Sequence, residues 1–254
     1  MKYICFSNIR NSKWFFPVLL IVSASAVYFP VLGHDFLYYW DDQWQVMNQY
    51  TEGGWNMRNL WAIFTEFLGG QYSPINELLY LVIYSFSGYN PFGFHLLSLL
   101  LHAANALLIY VCMNRLLEIN RKFETEHRQL TAFFTALIFA LHPLNVESVA
   151  WISASKIVVY SFFYLLATLA FLSYLKESKL KYYFLTLLLF TCSFLGKEQA
   201  SIFPLWALLI YWLCGYNFKD RKVWLGIIPL FACCSLSYTS FSLCISFPCR
   251  ALQW

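Results

Sequence analysis

Apolar residues run along this chain in long uncharged blocks, and the charges sit in the segments between them. The blocks are Trp14 to Gly33, Pro91 to Asn114, Gln129 to Val146, Ile157 to Leu175, Tyr182 to Gly196, Gln199 to Phe218 and Val223 to Cys249. A helix crosses a bilayer with about 17–25 such residues. The pattern therefore predicts an all-α polytopic membrane protein of about seven transmembrane helices, with 1–254 forming one membrane-embedded domain. The blocks opening at Gln129 and Tyr182 sit at or below the spanning length and rely on snorkelling flanks or local thinning. Pro143 should end the helix of the first of these. A further run, Leu78 to Gly88, has only re-entrant or interfacial length.

The charges orient the blocks. With the N-terminus in the cytoplasm, the inner segments hold Lys2, Arg10 and Lys13, then Arg115, Arg121, Lys122 and Arg128, then Lys176, Lys179 and Lys181, then Lys219, Arg221 and Lys222. Only Arg58, Lys156, Lys197 and Arg250 remain outside. This is the positive-inside pattern. Counting Leu78 to Gly88 as a full span would reverse it, so that run is interfacial. The basic start and Ser23-Ala24-Ser25-Ala26 also resemble a signal peptide. The apolar run continues to span length, which favours an uncleaved first helix.

The first outer segment, 34–90, is long and acidic, with Asp35, Asp41, Asp42, Glu52, Glu66 and Glu77 against Arg58 alone. Leu60, Ile63, Phe64, Phe67 and Leu68 recur at helical spacing, which predicts amphipathic helices lying on the membrane surface. Gly53-Gly54 and Gly69-Gly70 should separate them.

Composition agrees: 60% of the residues are hydrophobic and 12% charged, where a soluble domain carries about 25% charge. That excludes a disordered tail, a nucleic-acid-binding domain and a disulfide-stapled secreted domain. The eight cysteines contain no C-x-x-C pair and behave as small apolar residues. No nucleotide-binding motif occurs.

Four polar constellations remain. Asp41-Asp42 follows the first span, beside Trp40. Either carboxylate could act as a general base, and the pair could hold a divalent ion. Adjacent helical residues point about 100° apart, so one acid could face a site while the other is structural. The plainer alternative is a hydrated acidic helix start. In the second span His95, Ser98, His102 and Asn105 share one face. That face serves interhelical hydrogen bonding or a cavity, with His95 nearest the outer rim. The third constellation is His142-Pro143-Leu144-Asn145-Val146-Glu147, continuing to Lys156. The fourth is Gly196-Lys197-Glu198-Gln199, where Lys197 either faces a ligand or pairs with Glu198. All four fall on one side of the membrane in this topology.

These residues resemble a family. The acidic pair, the long outer loop and the His-containing second span are similar to membrane glycosyltransferases of the C superfamily. His142-Pro143-Leu144-Asn145-Val146-Glu147-Ser148-Val149-Ala150-Trp151 and Gly196-Lys197-Glu198-Gln199-Ala200 resemble the transmembrane and tetratricopeptide-repeat protein O-mannosyltransferases and their bacterial relatives. The chain departs from them at Tyr72-Ser73-Pro74 and at Ala154-Ser155-Lys156-Ile157. The resemblance implies transfer of mannose or another hexose from a polyprenyl- or dolichyl-phosphate donor to a protein hydroxyl on the non-cytoplasmic face. It implies Asp41 or Asp42 as base. The outer-side lysines, Lys156 and Lys197, are the cations available to the donor phosphate, and Trp40, His95, His142, Glu147 and Glu198 would line the site. The one candidate cofactor is a divalent cation, at Asp41 and Asp42. The expected partners are the lipid-linked donor, the protein acceptor and membrane lipids, with no nucleic acid. The membrane is a bacterial inner membrane or the endoplasmic reticulum. The family's last spans and repeats are missing, so the chain reads as truncated. The rival functions are a transporter or lipid-carrier flippase, which usually shows internal repeats and interrupted midplane helices, and a non-catalytic scaffold.

Overall fold

The computed structural model of the chain describes residues 14–120 and 124–246, with side chains at 14–119 and 124–235. Lys2, Arg10, Lys13, Arg121, Lys122 and Arg250 lie outside the described residues, as does the tail beyond Ser246. The described elements are helical, and the extended pairing among them is a single bridge between Leu68 and Gln71.

Helix α1 spans Phe15–Tyr28 and tightens into a 3-10 turn over Phe29–Gly33, where Pro30 removes a backbone donor. Four short helices build the 34–90 segment, the outer loop of the expected topology: α2 (Asp42–Gln45), α3 (Gln49–Glu52), α4 (Met57–Thr65) and α5 (Pro74–Ser87). The long α6 (Pro91–Asn120) follows, then α7 (Thr125–Leu141), α8 (Val146–Ala150), α9 (Lys156–Glu177), α10 (Leu180–Gly196), α11 (Phe203–Leu213) and α12 (Arg221–Ser246). Phe15–Gly33, Pro91–Ile119 and Ile152–Glu177 are long and apolar enough to cross a membrane. A fourth span arises if Thr125–Leu141 and Pro143–Ala150 form one, bent by 53°. Pro143 causes the bend, because it cannot supply the backbone donor that would continue α7.

Other blocks are helical but shorter. α10 is an apolar helix of 17 residues. The block from Gln199 to Phe218 forms a helix of 11 residues only over its middle. Its entry is a 3-10 turn, Glu198–Ile202, with Pro204 in the first turn of the helix. Its exit is Gly215, whose φ of +75° ends the helical path.

Helix α6 is the axis of the packing, touching α1, α7 and α9. Ala24, Ala103, Ala106 and Ala140 meet where α1, α6 and α7 cross, and small side chains there let the backbones approach. Further along the chain, Phe171, Phe190, Phe203, Tyr211 and Ile227 tie α9, α10, α11 and α12 into one apolar cluster.

The outer loop is ordered by its asparagines. Asn48 accepts from the backbone N–H groups of Tyr50 and Thr51, and Asn56 from that of Asn59, starting α3 and α4. The expected apolar face of α4 is cut short. The helix stops at Thr65, so Phe67 lies beyond it and Leu68 opens a tight turn. In that turn Leu68 and Gln71 exchange backbone hydrogen bonds of 3.0 and 2.9 Å. Gly69 and Gly70 between them both have positive φ, the conformation such a turn demands. The Leu78 run forms α5 as far as Ser87, with Gly88 ending the helix; its Tyr80 donates to the Ile152 carbonyl at 2.9 Å and meets Ser155 at 2.9 Å. The outer loop is thereby locked to the turn that opens α9.

Candidate functional site

The two acids of the Asp-Asp pair have opposite surroundings. Asp42 is 1% exposed. One oxygen accepts from the backbone of Leu37 at 2.9 Å. The other accepts from the backbone of Ser153 at 2.9 Å and from the Ser153 hydroxyl. Asp42 is thus a clamp that holds the 3-10 turn Ile152–Ser155, on which Lys156 follows. Asp41 is half-buried. Its Oδ1 accepts from the Trp44 indole at 3.1 Å and its Oδ2 from the Gln45 amide at 3.3 Å. A carboxylate oxygen has two lone pairs, so each of these oxygens keeps one for a ligand.

Gln45 extends the chain of contacts. Its Oε1 accepts from Lys156 Nζ at 3.1 Å. Lys156 Nζ also donates to the Gln71 side chain. Gln71 is presented by the Gly69-Gly70 turn, and that turn is wedged by Trp44. A Cβ on Gly69 would collide with the Trp44 ring.

These contacts border a cavity of about 350 Å³, lined by Gly70, Gln71, Tyr72, Ser73, Lys156, Lys197, Glu198 and Gln199. Two lysines and one acid therefore face a single space, bounded by the outer loop on one side and by the entries of α9 and α11 on the other. Neither Lys197 nor Glu198 forms an ion pair among the described residues, so Lys197 does not neutralise itself in its own turn. Glu77, on α5, is buried and accepts from Asn48 at 3.2 Å. Burial pushes its carboxyl up to about 7, while the Asn48 bond and the Lys156 charge act in the other direction.

The remaining expected residues go elsewhere. Trp40 is exposed and meets Trp151 edge-on at 6.3 Å. His142 is exposed, and its Nδ1 accepts from the backbone of Leu144 at 3.2 Å, which starts a 3-10 turn. Glu147 is exposed on α8. Neither lines the cavity. His95 is buried in α6 with its ring 6.2 Å from that of His34, and it does not reach the cavity either. The rest of the α6 stripe bonds backbone. His102 contacts the Ala140 carbonyl at 3.0 Å, Asn105 donates to the Val158 carbonyl at 2.9 Å, and Ser98 donates to the Phe94 carbonyl at 3.3 Å.

Asp42 has little left to offer a divalent ion. The Asp42 oxygens already serve three donors. Among the described residues no three His, Cys, Asp or Glu side chains gather in one place.

Gln45, Gln71 and Ser153 are the site residues that sequence patterning misses. Each is an uncharged polar residue whose role depends on a partner as many as 111 positions away. The one local signal is the glycine pair before Gln71.

No family model and no solved structure matches the chain. Curated proteins do. Human "Protein O-mannosyl-transferase TMTC1" is 32% identical over 204 residues, covering 72% of this chain and 22% of its own length. The mouse protein of that name is 31% identical over 210 residues, covering 74% of this chain and 21% of its own. Mouse "Protein O-mannosyl-transferase TMTC2" is 29% identical over 187 residues, covering 68% and 21% respectively. The chain thus spans about a fifth of the length of these relatives. Together with the helical, apolar architecture, these similarities support a TMTC-like family for the chain, over about 70% of its length.

Proposed function

We propose that this chain is the membrane part of a glycosyltransferase that moves mannose or another hexose from a polyprenyl- or dolichyl-phosphate donor to a protein hydroxyl on the non-cytoplasmic face. In this reading about seven helices span the membrane, the N-terminus is cytoplasmic, and α4 and α5 lie at the outer interface. The observation that carries the proposal is the juxtaposition of Asp41, through Gln45, with a cavity that holds two lysines.

The chemistry follows from the charges. The donor phosphate enters the cavity and meets Lys156 and Lys197, each a point-charge phosphate ligand. The acceptor hydroxyl approaches Asp41. As its oxygen bonds to the sugar C1, Asp41 takes the hydroxyl proton and the C1–O bond to the phosphate breaks. The bonding pair leaves with the polyprenyl phosphate, whose added negative charge the two ammonium groups stabilise. Asp42, buried and accepting from three donors, positions the turn that carries Lys156.

The test is transfer of radiolabelled sugar from a polyprenyl-phosphate sugar in membranes holding the full-length protein. Wild type should transfer. Asp41→Asn should insert normally and lose about 10²–10⁴-fold in rate, the usual contribution of a positioned general base. Wild-type transfer by Asp41→Asn would remove the base from this position.

A further inference from the structure

Gln45 occupies an unusual place between two opposite charges. It is 6% exposed, on the single turn of α2. Its Nε2 donates to Asp41 at 3.3 Å, and its Oε1 accepts from Lys156 at 3.1 Å. The orientation of the amide is decided by its neighbours. A carboxylate only accepts and an ammonium only donates. Turning the amide over would set its NH₂ against the ammonium and its oxygen against the carboxylate.

We propose that Gln45 is a positioning residue that holds Asp41 and Lys156 together without letting them pair. An Asp41–Lys156 ion pair would spend each charge on the other. The base would then be engaged, and the cation would be partly neutralised. A neutral amide between them satisfies both and leaves both available. Lys156 has three donors. Gln45 and Gln71 take two of them, and one is left for a phosphate oxygen. Asp41 keeps its remaining lone pairs for an acceptor hydroxyl. The inference rests on the proposed roles of Asp41 and Lys156, and assigns to Gln45 the coupling between them.

The test is a set of mutant cycles on sugar transfer by the full-length protein in membranes, with donor KM and kcat measured separately. Gln45→Met keeps the length and removes both polar atoms. It should lower kcat by about 10- to 100-fold, the scale of a misplaced catalytic group, and raise donor KM. In the Asp41→Asn background, Gln45→Met should add no further loss of kcat. In the Lys156→Gln background it should add no further rise in KM. A residue that only packs would instead give additive costs in both backgrounds, and additivity overturns the proposal. So do wild-type kcat and KM in Gln45→Met itself. If Gln45→Met fails to insert, Gln45→Glu decides the matter by the same cycles. It retains an acceptor for Lys156 but cannot donate to an ionised Asp41, so its kcat must fall with Asp41 present and stay level with Asp41→Asn. Wild-type rates in the single Asp41→Asn variant would sink the base assignment, and this inference with it, and that outcome is visible without any Gln45 substitution.

Discussion

The cavity beneath the outer loop and the polar stripe of α6 are built from similar material, yet their polar groups end differently. In the stripe, His102, Asn105 and Ser98 are buried and direct hydrogen bonds at the carbonyls of Ala140, Val158 and Phe94. Those bonds stay inside the helix bundle, and no charge is involved. At the cavity, Lys156 is only half-buried, and so is Asp41, which lies outside the lining and reaches it through Gln45; their partners are side chains, and Lys197 faces open space. A polar residue in an apolar protein is therefore not by itself a sign of chemistry. What marks the cavity is that opposite charges converge there, whereas the stripe, whose His102 Nδ1 and Asn105 Oδ1 also lack partners, holds no carboxylate and no lysine.

The comparison can be broken first at Asp42, which belongs to the site by sequence and to the scaffold by contacts. Asp42→Ala leaves the N–H groups of Leu37 and Ser153 and the Ser153 hydroxyl without their acceptor. Each orphaned buried donor costs about 1–3 kcal/mol. Thermal unfolding in detergent should show a loss of several kcal/mol, larger than that of Asp41→Ala. Equal losses would mean that the two acids are not divided in this way.

Glu77 sharpens the contrast through pH. Its folded pKa, about 7, lies above the ordinary value of 4.5. The folded state therefore binds a proton more tightly than the unfolded chain. The stability this contributes is fully present below pH 4.5 and is lost as pH rises through about 7. Glu77→Gln should abolish that loss. Relative to wild type, the variant should gain up to about 3 kcal/mol between pH 4.5 and pH 8. A difference that does not change with pH would place Glu77 in a wetter setting than its burial indicates.

At the cavity itself Lys197→Gln should raise donor KM or lower kcat by about tenfold, the loss of one charge-assisted phosphate contact of about 1.5 kcal/mol. Lys156→Gln should do so more weakly, because two amides already share that ammonium. Unchanged donor kinetics in both variants would leave the phosphate without a cation here.

The smallest effect belongs to the stripe. His102→Leu removes one interhelical contact, worth about 0.6 kcal/mol on average in a membrane interior, and should leave donor KM unchanged. A shift in donor KM would join the stripe to the site and end the distinction.

The helical class and the places of the helix blocks were legible in the sequence because uncharged apolar runs leave few other structures for a backbone that must satisfy itself. The break at Pro143 was equally local, since proline lacks the donor that continues a helix. So was the turn at Gly69-Gly70, where positive φ favours glycine. The early stop of α4 was not legible, because Leu60 to Leu68 keep their apolar spacing while the backbone turns away at Thr65. The short α11 was not legible either, because a 3-10 entry and Gly215 consume both ends of an apolar block. For the site, the residue types pointed to Asp41, Asp42, Lys156, Lys197 and Glu198, since charges stand out in an apolar chain. Only the tertiary structure separated Asp41 from Asp42, left His142 and Glu147 outside the cavity, and set Gln45 between a carboxylate and an ammonium. Those outcomes depend on which distant segment each side chain meets, and contacts such as Asp42 with Ser153 and Gln45 with Lys156, each spanning 111 positions, leave no periodic trace in a sequence.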